Sequence, residues 1–100
     1  KLNDYNGAIA DYTKAIELNP NYAGAYYNRG NAKYVIEDDY GAIADYTKAI
    51  ELEPKFASAY VNRGASKESI GDLNGACKDW RKAASLGDSE AAKVVRNECN

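Results

Sequence analysis

A block of twelve residues, GAIADYTKAIEL at positions 7–18, recurs without a change at positions 41–52, and a diverged copy, GACKDWRKAASL, follows at 75–86. The copies stand 34 positions apart. The diverged one keeps Gly75, Ala76, Asp79, Lys82, Ala83 and Leu86 and carries Trp80 where the others carry tyrosine. A period of this length is too short for a domain and long enough for two helices with their turns. It predicts a stack of two-helix units, each burying its apolar side against its neighbours. The core of such a stack is thin, and composition agrees: the 100 residues are 45% hydrophobic, yet they include no Met and one Phe, which leaves alanine and nine tyrosines as packing material.

Within the block, Ala8, Tyr12 and Ala15 recur at helical spacing, and Ile9 and Ile16 form a second stripe beside them. Two stripes let one helix serve both its own partner and the next unit. Asn3 or Asp4 is placed to cap this helix, which is predicted to end near Leu18. Pro20 and Pro54 each stand two residues past the leucine that closes a copy, and the residue before a proline is driven out of the α region.

A second kind of helix is predicted from Tyr22 to about Ile36 and again from Phe56 to about Ile70. Ala23, Ala25, Tyr26, Asn28, Arg29, Gly30, Lys33 and Ile36 return as Ala57, Ala59, Tyr60, Asn62, Arg63, Gly64, Lys67 and Ile70. A mid-helix glycine costs about 1 kcal/mol relative to alanine, so Gly30 and Gly64 point to close approach by another helix. Gly71 with Asp72 marks a turn, and Gly87 a left-handed helix end. Asp88 then caps a short closing helix whose Ala92, Val95 and Cys99 share one face, with Lys93, Arg96, Asn97 and Asn100 outside. Tyr40 lies two residues before Ala42, whereas Tyr5 and Leu73 lie three before Ala8 and Ala76, which predicts a differently shaped central turn. The expectation is six helices in one domain. Residues 1–20 hold the second helix of an incomplete unit, 21–54 and 55–87 complete units, and 88–100 the closing helix.

The spacing of Tyr26, Gly30, Ala42, Tyr46, Ala49 and Pro54, repeated by Tyr60, Gly64, Ala76, Trp80 and Ala83, resembles the tetratricopeptide repeat. The YYNRG and YVNRG segments are similar to a bacterial subclass of that family. The resemblance covers essentially the whole chain. It implies an all-α, right-handed α–α superhelix of about two and a half repeats plus a C-terminal capping helix, with Tyr26, Gly30, Tyr46, Pro54, Tyr60, Gly64 and Trp80 in structural positions. Three departures stand out: Arg29 and Arg63 replace the family's leucine, Lys33 and Lys67 its tyrosine, and Asp88 a third proline. Because solenoid units need neighbours, an opening second-type helix suggests a fragment of a longer array, or a first helix that finds its partner in another molecule.

The resemblance also implies where recognition falls. In this family first-type helices line a concave face that holds extended peptides. Carried over by position, that groove is lined by Gly24, Tyr27, Asn28, Asn31 and Tyr34 from one helix and Ser58, Val61, Asn62, Ala65 and Glu68 from the next. Helical spacing independently places Tyr27, Asn31 and Tyr34 on one face, away from Tyr26 and Gly30. Small Ser58 and Ala65 opposite two tyrosines predict a notch, and Asn28 and Asn62 can each donate to and accept from a peptide backbone. Uncharged Ser58, Val61 and Ala65 argue against the family's clamp for a C-terminal carboxylate, which sets lysines and arginines beside such asparagines.

Arg29 and Arg63 share their period with Asp11, Asp45 and Asp79, which reads as a repeated structural ion pair. Each arginine could meet the aspartate sixteen residues later or eighteen before. With 13 basic and 15 acidic residues, a net charge of −2 and a pI near 5.1, the chain has no pull toward nucleic acid or anionic membrane. No stretch approaches the roughly 20 apolar residues of a membrane span. Without histidine, and without a nucleophile beside a base, catalysis is not expected; two cysteines cannot complete a metal site, and no cofactor is implied. Cys77 and Cys99 lie ten residues before and twelve after Gly87. At about 1.5 Å per residue they reach similar heights in an antiparallel pair, so a disulfide and two reduced thiols both remain open. The compartment stays unknown with them: thiols lean cytoplasmic, a bond means export. The reading is a non-catalytic interaction module that takes a peptide or protein partner in its groove. The alternative is an assembly module in which the exposed first helix stacks on another copy, in self-association, or on upstream repeats.

Overall fold

The computed structural model describes residues 4–99. Among them are six helices and no strand: α1 (Tyr5–Leu18), α2 (Ala23–Val35), α3 (Asp39–Leu52), α4 (Ala57–Ser69), α5 (Leu73–Ser85) and α6 (Ser89–Glu98). Each helix packs on the one before and the one after it, and α2 also touches α4. The result is an all-α solenoid measuring 41 × 24 × 21 Å.

Local chemistry sets the helix ends. Asp4, Asp38, Asp72 and Asp88 cap α1, α3, α5 and α6, each accepting from the backbone N–H three residues on at 2.9 to 3.0 Å. Asn3, the alternative cap for α1, and Asn100 lie outside the described residues. Glu37, Gly71 and Gly87 take positive φ angles of 67°, 87° and 105°, and the N–H of Asp38, Asp72 and Asp88 closes each turn on the carbonyl of Lys33, Lys67 and Ala83. The central turn therefore has the same shape as the next one, contrary to the expectation from Tyr40. Asp38 fixes the cap, and Tyr40 merely occupies the second helical position, 73% exposed.

The units are joined by aromatic rings set against glycine. A Cβ on Gly30 would lie 2.9 Å from the Tyr46 ring, and one on Gly64 2.5 Å from the Trp80 indole, so α2 and α3, and likewise α4 and α5, meet closer than any side chain allows. One buried cluster joins Ala49, Ile50 and Ala59 under Tyr26, Tyr27, Phe56 and Tyr60. The other joins Ala76, Cys77, Trp80 and Ala83 to Ala91 of α6, with Val94, Val95 and Cys99 packed against them. The inner face of α6 thus begins at Ala91, not at the expected Ala92, which is only half-buried. Cys77 and Cys99 are joined by a disulfide, Cα to Cα 5.6 Å, tying α6 to α5 across 22 residues. Closing a loop of that size restricts the unfolded chain by about 3 kcal/mol.

Charge reinforces the layers. Arg29 of α2 donates through Nε and Nη2 to Asp45 of α3, both at 2.8 Å, and through Nη1 to Thr13 of α1 at 3.1 Å. Arg63 repeats this with Asp79 at 2.8 and 2.7 Å and with Thr47 at 3.1 Å. The sixteen-residue pairing is the one adopted. Lys33 and Lys67 close on the same carboxylates at 3.1 Å. Each arginine thereby bridges three helices. The hydrogen bonds they donate to the carboxylates hold both guanidinium groups above their ordinary pKa, against the opposing effect of burial.

Candidate peptide-binding face

Helices α2 and α4 lie side by side, and three of the residues expected to line the groove meet there. The Tyr46 hydroxyl, reaching up from α3, donates to Asn31 Oδ1 at 2.6 Å. Asn62 Nδ2 donates to the same oxygen at 2.9 Å and to the Tyr27 hydroxyl at 3.1 Å. Both hydrogens of the Asn62 amide and both lone pairs of Asn31 Oδ1 are engaged. Among the described residues the Asn31 Nδ2 donor and the Asn62 Oδ1 acceptor are left unengaged, on two half-buried side chains whose orientation the network fixes. Burial pushes the Tyr46 phenol above its usual pKa, so it remains a donor throughout the physiological range.

Tyr27 contributes differently from expectation. Its ring packs against Tyr46 and Phe56, with centroids 5.9 and 4.8 Å away, and so supports the face from beneath. Asn28 lines a cavity of about 290 Å³ between α1 and α2, shared with Tyr5, Ala8, Tyr12 and Asn31. Tyr34, 39% exposed, borders a second cavity of about 550 Å³ with Val35, Glu37, Asp39 and Ser69. Neither Ser58 nor Ala65 lines these cavities, and the Tyr27 ring, one of the two tyrosines expected opposite them, packs on Phe56. Val61 belongs to the C-terminal core, its carbonyl accepting from Trp80 Nε1 at 3.2 Å. Gly24 sits beneath the Tyr22 ring, and Ser58 and Glu68 are exposed.

Electrostatically, the far end of the face is acidic. Partial desolvation, and then the neighbouring Glu98 of α6, raise the Glu68 carboxyl above its ordinary pKa. Lys33 and Lys67 are held by Asp45 and Asp79. Sequence reasoning missed the Tyr46 hydroxyl as an organiser, although a signal existed: Tyr46 occurs with Asn31, whereas Trp80 occurs with Ala65, so the polar pair is lost together. Among the described residues no group of His, Cys, Asp or Glu could hold a metal ion, and no helix is long and apolar enough to cross a membrane.

A stack of helix pairs locked by ring-on-glycine contacts, with a polar face along its first-type helices, defines a helical repeat scaffold. A family model described as TPR repeat matches residues 1–35, and one described as Tetratricopeptide repeat matches residues 23–56. The Arabidopsis OM64 TPR domain is similar in structure, with a TM-score of 0.88, 35% identity, and coverage of 93% of this chain and 78% of that one. The first TPR of Spaghetti (RPAP3), bound to the HSP90 peptide SRMEEVD, gives 0.87 at 28% identity, covering 93% and 75%. MamA gives 0.81 at 31% identity over 83% of this chain, which spans 48% of the MamA chain, about half its length. No curated protein matches significantly. The chain belongs to the tetratricopeptide repeat family, whose domains in general are non-catalytic scaffolds for protein–protein interaction.

Proposed function

We propose that the α2–α4 face binds an extended segment of a partner protein through its peptide backbone. The observation that carries this reading is the fixed Asn31 donor beside the Asn62 acceptor, which is the complement a peptide group presents. Tyr34 offers an exposed aromatic edge to a partner side chain. The first TPR of Spaghetti holds an acidic peptide. Here the lysines are engaged and Glu68 adjoins Glu98, which supports an uncharged or basic segment. The disulfide supports a location outside the reducing cytoplasm.

The test reverses one donor. Asn31→Asp keeps the oxygen that accepts from Tyr46 and Asn62 and puts a charged acceptor in place of the outward donor, so it is read with uncharged peptides. Peptides selected from a random displayed library against the native chain should lose about tenfold or more in affinity for this variant, while its circular dichroism stays native. A library without binders, or binders indifferent to the change, would refute the reading.

A further inference from the structure

The cavity of about 550 Å³ beside Tyr34 lies within the two complete units, bordered by the end of α2, the turn into α3 and the end of α4. Tyr34, Val35, Glu37, Asp39 and Ser69 line it, which sets an exposed aromatic residue and two carboxylates around one space. Among the described residues no basic side chain closes on Glu37 or Asp39, since Lys33 and Lys67 are held by Asp45 and Asp79. Asp39 Oδ1 is buried there and accepts no hydrogen bond, a costly state unless a donor is brought in. The χ2 torsion of an aspartate is soft, so the carboxylate can turn either oxygen to a donor in the cavity. Asp38 caps α3, and Asp39 gains from the positive end of that helix. Glu37 has no such local reason to be acidic, and its left-handed φ of 67° suits the glycine that the next unit places there as Gly71. That unit also carries Glu68, Ser69 and Leu73 in place of Tyr34, Val35 and Asp39, so the repeat itself does not demand the arrangement.

Two sites in the same molecule show what fills such a space. The Arg29 guanidinium lies 5.7 Å from the centroid of the Tyr26 ring while forking onto Asp45, and that of Arg63 lies 5.5 Å from the Tyr60 centroid while forking onto Asp79. A flat cation with donors along its edge satisfies ring and carboxylate at once, which the compact ammonium of lysine does less well. We propose that the cavity takes an arginine side chain of the bound segment, with its guanidinium against the Tyr34 ring and its donors shared between Glu37 and Asp39. This rests on the α2–α4 face binding an extended segment. Tyr34 follows Asn31 by about 4.5 Å along the axis of α2, little more than one residue of an extended chain at ~3.4 Å. The arginine therefore falls one or two residues from the peptide group held at Asn31.

Acetylarginine amide serves as the probe, titrated into the intact chain at low salt and followed by NMR. The Tyr34 ring resonances should shift saturably, and the isosteric acetylcitrulline amide, which lacks the charge, should leave them in place. Glu37→Gly and Asp39→Asn should each weaken the arginine probe by about fivefold or more. Glycine relieves the left-handed backbone at position 37, so a loss of binding in that variant does not come from unfolding. No saturable shift, equal shifts with citrulline, or arginine binding undiminished in both variants overturns the proposal. The Asn31→Asp test uses uncharged peptides and this one a single residue at the cavity, so failure of the groove and failure of the cavity are told apart.

Discussion

Helices α1 and α3 read alike over twelve residues and live in different surroundings. In α3, enclosed by α2 and α4, Ala42, Asp45, Tyr46, Ala49 and Ile50 are buried; in α1 no residue is. Leu18 is 83% exposed where Leu52 is half-buried. The segment therefore does not determine its own energetics. In a solenoid, stability resides in the contacts between neighbours, and an identical helix at the end of the row holds only a share of it.

The comparison can be broken most forcefully at the aromatic ring. Tyr46→Ala should cost about 4 kcal/mol by urea denaturation, from lost burial and the cavity left against Gly30, whereas Tyr12→Ala should cost about 1 kcal/mol, in line with its partial exposure. Equal losses would show that enclosure by neighbours does not set the difference. Next comes the carboxylate. Asp45→Asn removes the buried charge facing Arg29 and Lys33 and should destabilise by about 3 kcal/mol, while Asp11→Asn, at an exposed position, should stay within about 0.5 kcal/mol. The smallest effect sharpens the comparison at the turn into α3. Glu37 holds a left-handed φ of 67° that Gly71 adopts at the next turn, so Glu37→Gly should raise the melting temperature, by about 1 kcal/mol in stability.

Much of this was legible because its causes are local. Aspartate caps, glycine ends and proline stops act within four residues, and the 34-residue period did the rest. The partner of Arg29 was not legible, since Asp11, Asp45 and Asp79 share one period and only the packing of α2 against α3 selects among them. On α6, Val95 and Cys99 pack on the core as expected, while Ala91 rather than Ala92 is the buried alanine; ten residues hold too few apolar positions to tell the two alanines apart. The groove was half legible. Tyr27 and Asn31 follow from helical spacing and Asn62 from the family resemblance, but that Asn62 turns its amide toward Asn31 and Tyr27, and that the Tyr27 ring packs on Phe56, depends on residues of other helices.

The bond between Cys77 and Cys99 gives the molecule a direction of opening. If α6 lifts from α5, the covalent tie keeps it within reach at an effective concentration on the order of millimolar or higher, so it recloses before solvent penetrates further. Among the described residues α1 packs on one neighbour, α2, and carries no such tie. Fluctuations therefore enter at α1 and travel toward α5, as a zip fastened at one end, and the order in which amides exchange with solvent should follow the order of the chain. Reduction would give the row two loose ends and abolish that polarity.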